Sequence, residues 1–329
     1  MKKKKLFNVV ELFAGTGGLA LGLHKAGLNT THLIEMDKAC CNTLKKNMPH
    51  WNVLCEDITK FNFKGIDADV VTGGFPCQAF SYAGKKLGFE DTRGTLFFEF
   101  VRALKDIQPK IFIAENVAGL VSHDKGRTLK TMLKILKKDL DHYNIQYKVL
   151  NAADYSVPQK RKRIIIVGTK DGISFNFPKA HKKIINIRDA LKNVPLSEGT
   201  KYSEKRKKVM ELIPPGGCWI NLPEDIKKEY MGKSYYSGGG KRGMARRMSW
   251  DEPSLTLTTS PSQKQTERCH PDKTRPFTIR EYARIQTFPD SWIFSGSMSS
   301  QYKQIGNAVP VKLGEEIGKM IIQALNNSD

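Results

Sequence analysis

Strand-length apolar runs alternate with helical patterns through the first half of this chain, and that alternation restricts its folds more than any other feature. Residues 8–13, 31–34, 52–55, 68–72, 111–114, 147–150 and 164–168 read as short buried strands. Residues 19–26, 96–107 and 129–140 space their apolar side chains as helices do. Strands buried on both faces and separated by helices pack as parallel βα units, so the expected class is α/β with a doubly wound, mostly parallel sheet. The pattern changes near residue 178. From there to about 278 the chain is irregular, with PPGG at 214–217, three glycines at 238–240 and basic clusters at 205–208, 241–242 and 246–247. Residues 255–259 alternate like an exposed strand, and 311–325 recover helical spacing. The expectation is a main domain of residues 1–184 plus 300–329 and a smaller, irregular, β-rich domain of 185–299, its most variable part being 185–278.

Charge and cysteine content narrow the functional classes. The 329 residues carry 54 Lys+Arg against 33 Asp+Glu, a net charge of +21, yet 40% are hydrophobic and 9% aromatic. That much apolar surface excludes a disordered chain, so the excess charge sits on a folded body. Two readings of it stand side by side: a polyanionic partner whose counterions are released on binding, or simple solubility charge. Six cysteines without a CxxC or Cys/His ligand spacing suit neither a disulfide scaffold nor a zinc site, and no metal is expected. Lys2, Lys3, Lys4 and Lys5 followed by Leu6 and Phe7 imitate a signal peptide, but Asn8 and Glu11 break the apolar run. With no stretch of ~18–20 apolar residues, the reading is a soluble, cytoplasmic protein that does not enter a membrane.

In an open parallel sheet, ligands bind beyond the carboxyl ends of the strands, and here those ends carry chemistry. The first predicted strand runs from Glu11 into FAGTGG at 13–18, the second ends at Glu35 and Asp37, and the third at Glu56 and Asp57. The fourth runs into GGFPCQ at 73–78 and the fifth into Glu115, Asn116 and Val117. A glycine turn lets backbone N–H groups approach a ligand. An acid about twenty residues on suits ribose hydroxyls, and Asp57 can accept from an adenine amino group. The GxGG spacing, unlike GxGxxG, demands no pyrophosphate, which favours S-adenosylmethionine over a nicotinamide dinucleotide. Cys77, behind two glycines and a proline, is placed as a nucleophile rather than as a small core residue. The basic, glycine-containing stretch 79–94 reads as a mobile lid or as an ordinary surface loop. In QKRKR at 159–163, extended-chain alternation puts Gln159, Arg161 and Arg163 on one side, where they can converge on one ligand.

In order, ELFAGTGG, GGFPCQ, ENV, QKRKR, REYARIQTFP at 280–289 and QIGNAVP at 304–310 resemble the blocks of the C5-cytosine DNA methyltransferases, over nearly the whole chain. The resemblance implies a Rossmann-like, S-adenosylmethionine-dependent methyltransferase sheet. The variable segment falls where that family keeps its target-recognition region, and Thr256 and Leu257 resemble its Thr-Leu pair. It implies that Phe13, Gly15, Gly17, Gly18, Glu35, Met36, Asp57, Ile58 and Asn307 hold the cofactor. Cys77, Glu115, Arg161 and Arg163 would be catalytic. Pro76, Gln78, Asn116, Gln159, Arg246 and Arg247 would contact the substrate, with Gln263, Lys264, Gln265 and Arg268 as further candidates. Two departures are small: Glu11 stands where Asp is common, and CEDI at 55–58 replaces Gly-Asp-Ile.

The resemblance also implies a chemistry. Carbon 5 of cytosine is too weak a nucleophile to take a methyl group unaided. Addition of the Cys77 thiolate at carbon 6 turns the ring into an enamine, and Glu115, protonated or sharing a proton with N3, would stabilise the developing charge. Loss of the carbon-5 proton to a base such as water then expels the thiolate. The target base must be flipped out of the duplex, at a cost of a few kcal/mol. The implied setting is a monomeric bacterial enzyme on short sites in double-stranded DNA. It would protect host DNA from a cognate restriction endonuclease that reads the same site without binding the enzyme. Methylation of tRNA cytosine by the same motifs, and an NAD-linked oxidoreductase, are the competing expectations.

Overall fold

The computed structural model describes residues 6–76, 96–236 and 243–328, which separate into two compact units. The first comprises Met1–Asn151, Lys162–Ala180 and Val311–Asp329, the second Ala152–Arg161 and His181–Pro310.

Along the chain the strands are β1 (Asn8–Leu12), β2 (Asn29–Glu35), β3 (Val53–Cys55), β4 (Val70–Gly73), β5 (Ile111–Val117), β6 (Tyr143–Asn151), β7 (Gln159–Lys160), β8 (Lys162–Lys170) and β9 (Ser254–Leu255). Seven of them form the sheet of the first unit in the order β3-β2-β1-β4-β5-β8-β6. The pairs β1–β2, β2–β3, β1–β4 and β4–β5 are parallel, and β8 runs antiparallel to both of its neighbours. This is the mostly parallel α/β sheet that the strand–helix alternation predicts. The order reverses at β1, so the carboxyl ends of β1 and β4 flank a switch point of the kind where open sheets hold ligands.

Helices α1 (Gly18–Ala26), α2 (Lys38–Asn47), α3 (Leu96–Ile107) and α4 (Arg127–Asp139) pack around this sheet. Phe97, Phe100 and Leu104 on α3 join Leu12, Val71 and Phe112 of the strands in one buried core. Close approaches fix where glycine is needed. A Cβ on Gly73 would meet the Phe100 ring at 3.0 Å, and one on Gly168 would meet the Phe112 ring at 1.9 Å. The helix Val311–Asn326 lies so tightly on α1 that a Cβ on Gly22 would meet the Val311 carbonyl oxygen at 2.4 Å.

Glu11 is the one acid inside β1. It is buried, accepts a hydrogen bond from the Thr72 hydroxyl at 3.3 Å, and desolvation pushes its carboxyl up to about 8. The folded protein therefore holds a proton that the unfolded chain loses near pH 4.5. The stability contribution is complete below that pH, is lost progressively from about 4.5 to about 8, and is flat above. The loss is on the order of a few kcal/mol. Glu11→Gln, which cannot ionise, is expected to melt like wild type at pH 5 and several degrees higher at pH 8.5. Parallel melting curves across that range would show that Glu11 does not titrate as a buried acid.

In the second unit, β7 pairs in parallel with β9 as a two-stranded sheet. Around it lie short helices: α5 (Ile187–Leu191), α6 (Glu204–Glu211), α7 (Glu224–Met231), α8 (Ile279–Ile285) and α9 (Met298–Asn307). Of the stretch 255–259 read as an exposed strand, only Leu255 lies in β9, and Leu257 is buried. Half-buried arginines tie the irregular chain together. Arg280 donates to the carbonyls of Pro289 and Trp292 at 3.1 and 2.9 Å. Arg275 grips Glu281 with two 2.7 Å bonds, and Glu281 also closes the capping box of α8 with Thr278. Arg284 pairs with Asp290 and reaches the carbonyls of Ala190, Lys192 and Asn193. The block at 280–289 thus braces its own unit.

Candidate active site

The loop after β1 turns sharply because alternate residues adopt positive φ. Phe13 (φ 56°), Gly15 (φ 55°) and Gly17 (φ 82°) are all left-handed, and Gly17 caps α1. Glycine takes this conformation freely, whereas Phe13 carries strain of roughly 1–2 kcal/mol. A Cβ on Gly15 would meet nothing within 4 Å, so backbone there borders open space. The Gly15 N–H donates to Glu35 Oε2 at 2.7 Å, and the Asp37 N–H donates to Oε1 at 2.8 Å. Glu35, at the end of β2, is thereby fixed between the glycine loop and the start of α2. Each carboxylate oxygen retains a lone pair for a further donor, such as a sugar hydroxyl.

Two further predicted contacts stand close to Glu35 in sequence and fold. Met36 is 67% exposed, an uncovered apolar residue next to the acid in sequence. Asp57 follows β3, which pairs with the end of β2 (Glu35 opposite Cys55). Its Oδ1 accepts from the Thr59 N–H and hydroxyl at 3.0 and 2.9 Å, and these bonds hold its carboxyl below the usual carboxylate range. Both bonds fall on Oδ1, so Oδ2 keeps acceptor capacity for an amine. Ile58 is buried beneath it. Two carboxylate acceptors, an exposed apolar side chain and a strained glycine loop form an acceptor set that could take the hydroxyls and amine of an adenosine-bearing ligand.

The second cluster forms where β4 and β5 end side by side. Gly73 pairs with Ala114, so the next residues, Gly74 and Glu115, leave adjacent strands at the same edge. A Cβ on Gly74 would lie 2.9 Å from Glu115 Oε2, so the glycine doublet makes room for this carboxylate. On the other side of β5, β8 runs antiparallel with Glu115 opposite Ile165, which puts Arg163 on the diagonal of the same face. Arg163 Nε meets Glu115 Oε1 at 2.7 Å with both side chains largely buried (12% and 13% exposed). A short, shielded ion pair of this kind orients the acid far better than a surface pair would. Asn116 is buried and turns to the loop rather than to open space. Its amide donates to the Phe75 carbonyl at 2.9 Å, and its oxygen accepts from the Val117 N–H at 2.8 Å. Phe75 is itself seated on Phe97 and Phe100, which brings the chain to an exposed Pro76. Cys77, Gln78 and the lid expected at 79–94 lie outside the described residues, as do Lys241 and Arg242.

The expected convergence of Gln159, Arg161 and Arg163 fails as a strand argument. The run is not one strand: it breaks at Arg161, between β7 and β8, where the Arg161 N–H turns back to the Gln159 carbonyl at 3.0 Å. Arg163 belongs to the first unit, and the other two to the second. Arg161 is buried and donates to the carbonyls of Leu257 and Gly306 at 3.0 and 2.9 Å. Gln159, also buried, bonds Gln286 and the Leu257 N–H, both at 2.9 Å. Asn307 is exposed at the end of α9, in the second unit. Arg247, expected to touch substrate, is buried, and its guanidinium donates to carbonyls of Met210, His270 and Pro271 and to the Thr274 hydroxyl. Arg268 likewise donates to Thr256 and Glu267 carbonyls, whereas Arg246 is half-buried. Gly74 and the loop-holding role of Asn116 escape a residue-by-residue reading; the doublet before FPC is the only signal for the first.

A test separates bracing from substrate contact at Arg161. Arg161→Met keeps the volume but strands its carbonyl partners, so a loss of about 2–4 kcal/mol in urea unfolding is expected. Unchanged stability with lost activity would instead make Arg161 a substrate residue.

No group of three or more His, Cys, Asp or Glu among the described residues is arranged to hold a metal ion. Residues 7–323 match the C-5 cytosine-specific DNA methylase family. In a 334-residue alignment the chain is 58% identical to Type II methyltransferase M.Eco47II of Escherichia coli, covering 98% of this chain and 80% of that one. It is 56% identical over 337 residues to Type II methyltransferase M.Sau96I of Staphylococcus aureus, covering 99% and 78%. A solved structure described as a DNA modification methyltransferase encoded within a prophage (E. coli) superposes with a TM-score of 0.71 at 25% identity, covering 97% of this chain and 99% of that one. This chain belongs to the C-5 cytosine-specific DNA methylase family. It is accordingly a DNA cytosine-5 methyltransferase, and the oxidoreductase reading is set aside. No helix among the described residues is long and apolar enough to cross a membrane.

Proposed function

We propose that this enzyme transfers a methyl group from S-adenosylmethionine to carbon 5 of a flipped-out cytosine in a short site on double-stranded DNA, through a Cys77 adduct at carbon 6. The observation that carries the proposal is the strand-end juxtaposition. Glu115 is packed against Gly74, and Asn116 holds the Phe75 carbonyl two residues before Cys77. The acid and the segment that leads to Cys77 thus leave neighbouring strands at one edge.

When bound, S-adenosylmethionine supplies the electrophilic methyl group. Glu35 would take its ribose hydroxyls, Met36 and Ile58 its adenine ring, Asp57 the adenine amine, and Phe13, Gly15, Gly17 and Gly18 its amino-acid side. Cys77 attacks carbon 6 while Glu115, steadied by Arg163, holds N3 and the exocyclic amine of the base. Negative charge that develops on the ring is neutralised where it forms, which is the largest lever available to such a site. Pro76 and Gln78 flank the nucleophile. Residues 1–184 with 300–329 would form the catalytic domain, and 185–299 the target-recognition domain, with Arg246 a contact there. The close relation to Type II methyltransferases supports a restriction–modification role in a bacterial cytoplasm, beside an endonuclease that shares only the site.

Incubation with S-adenosylmethionine and genomic DNA, followed by bisulfite sequencing, should reveal protected cytosines in one short sequence context. Tritium transfer to duplex DNA should far exceed transfer to tRNA. Transfer to tRNA alone would reverse the substrate assignment.

A further inference from the structure

Two cysteines that the methyl-transfer chemistry does not use sit against the residue proposed to grip the ribose. Cys41, on α2, is buried, and its thiol donates to the Glu35 carbonyl oxygen at 3.2 Å. Cys55 ends β3 directly opposite Glu35 in the sheet and is exposed. The Cys41 bond to Glu35 and the pairing of Cys55 with Glu35 bring both cysteines to the same residue at the end of the second strand. Both are free cysteines. Asp57, proposed to read the adenine amine, lies two residues beyond Cys55.

We propose that Cys41 and Cys55 form a reversible disulfide that loosens the pocket holding Glu35 and Asp57. The effect on the pocket rests on the cofactor reading above; the disulfide itself does not. Burial pushes the Cys41 thiol up, so the exposed Cys55 is the entering nucleophile. With a disulfide oxidant such as oxidised glutathione, the Cys55 thiolate attacks one sulfur and expels one glutathione thiolate, leaving a mixed disulfide. Cys41 then loses its proton and attacks Sγ of Cys55, expelling the second glutathione. Two protein thiols are oxidised, one glutathione disulfide is reduced, and the two protons released end on the two glutathiones. Bond formation fixes the two sulfurs ~2.05 Å apart and removes the thiol donor from the Glu35 carbonyl. Both changes act on the peptide that carries the ribose acceptor.

The full-length Cys77→Ser variant, used so that the nucleophile cannot oxidise, would be treated with oxidised glutathione and digested without reductant. A cross-link between tryptic peptides 39–45 and 47–60 is expected, abolished by Cys41→Ser and retained in Cys40→Ser. S-adenosylmethionine affinity, read by calorimetry, should weaken about tenfold, recover with dithiothreitol, and stay constant in Cys55→Ser. A missing cross-link, or a cross-link with unchanged affinity, overturns the proposal. Failure of the reduced protein to bind S-adenosylmethionine would instead sink the cofactor reading and take the pocket effect with it, while the cross-link would still be judged by mass.

Discussion

Cys77→Ala is expected to bring methyl transfer down by at least ~10⁴-fold, into the assay background, because in the proposed mechanism it is addition of the thiolate that makes carbon 5 nucleophilic. Affinity for duplex DNA and for S-adenosylmethionine should stay within about twofold, since alanine removes only the sulfur. Tritium transfer to duplex DNA gives the rate, and gel shift and calorimetry give the affinities. A second readout reports the bond itself. Fluorine at carbon 5 cannot leave as a proton does, so a duplex carrying 5-fluorocytosine at the target should stay covalently attached to wild type through Cys77 and not to the variant. Residual turnover near the wild-type rate, or an adduct on another residue, would overturn the nucleophile assignment.

What the sequence makes legible here follows from which physics is local. The alternation of buried strands with helices depends on neighbours a few residues apart, and every predicted strand of the main sheet is present. The reversal of β8 is different. An apolar run such as residues 164–167, buried on both faces, has no preferred direction until its partners are known. Glu35 and Asp57 could be located by their place at strand ends, yet the hydrogen bonds that fix them come from Gly15, Asp37 and Thr59. In the run 159–163 a two-residue period does not hold, because the strand is interrupted at Arg161. The burial of Arg247 is illegible for a longer-range reason: its partners lie at 210 and at 270–274, so nothing nearby in the sequence announces it.

The same arginines qualify the meaning of the +21 charge. Arg161, Arg247 and Arg268 are buried and donate to backbone carbonyls within the second unit. Arginine serves this purpose because its planar fork satisfies several carbonyls at once while staying charged. Such residues are inaccessible to phosphates, so attraction to DNA must be carried by the exposed cations, most of them lysines. Lysine contacts act mainly as point charges, so binding to non-cognate duplex should weaken steeply as salt rises.

Glu115→Gln should lower the methylation rate by about a thousandfold while leaving S-adenosylmethionine affinity near the wild-type value. Glutamine fits the same space beside Gly74, and its oxygen can still accept from Arg163, so the local fold should hold. What it cannot do is give or share an acidic proton with N3 of the ring. The charge that develops when the thiolate adds would then have no counterpart, and the cost would fall on the transition state rather than on ground-state binding. The expected signature is a fall in kcat with KM for the cofactor unchanged. Arg163→Ala gives the complementary case: the acid keeps its chemistry but loses its 2.7 Å partner. Its rate should fall less, with the deficit growing as ordering of Glu115 is lost. If Glu115→Gln instead weakened cofactor binding while methylating normally at saturation, the residue would belong to the cofactor side of the sheet edge, and the base-gripping role would be withdrawn.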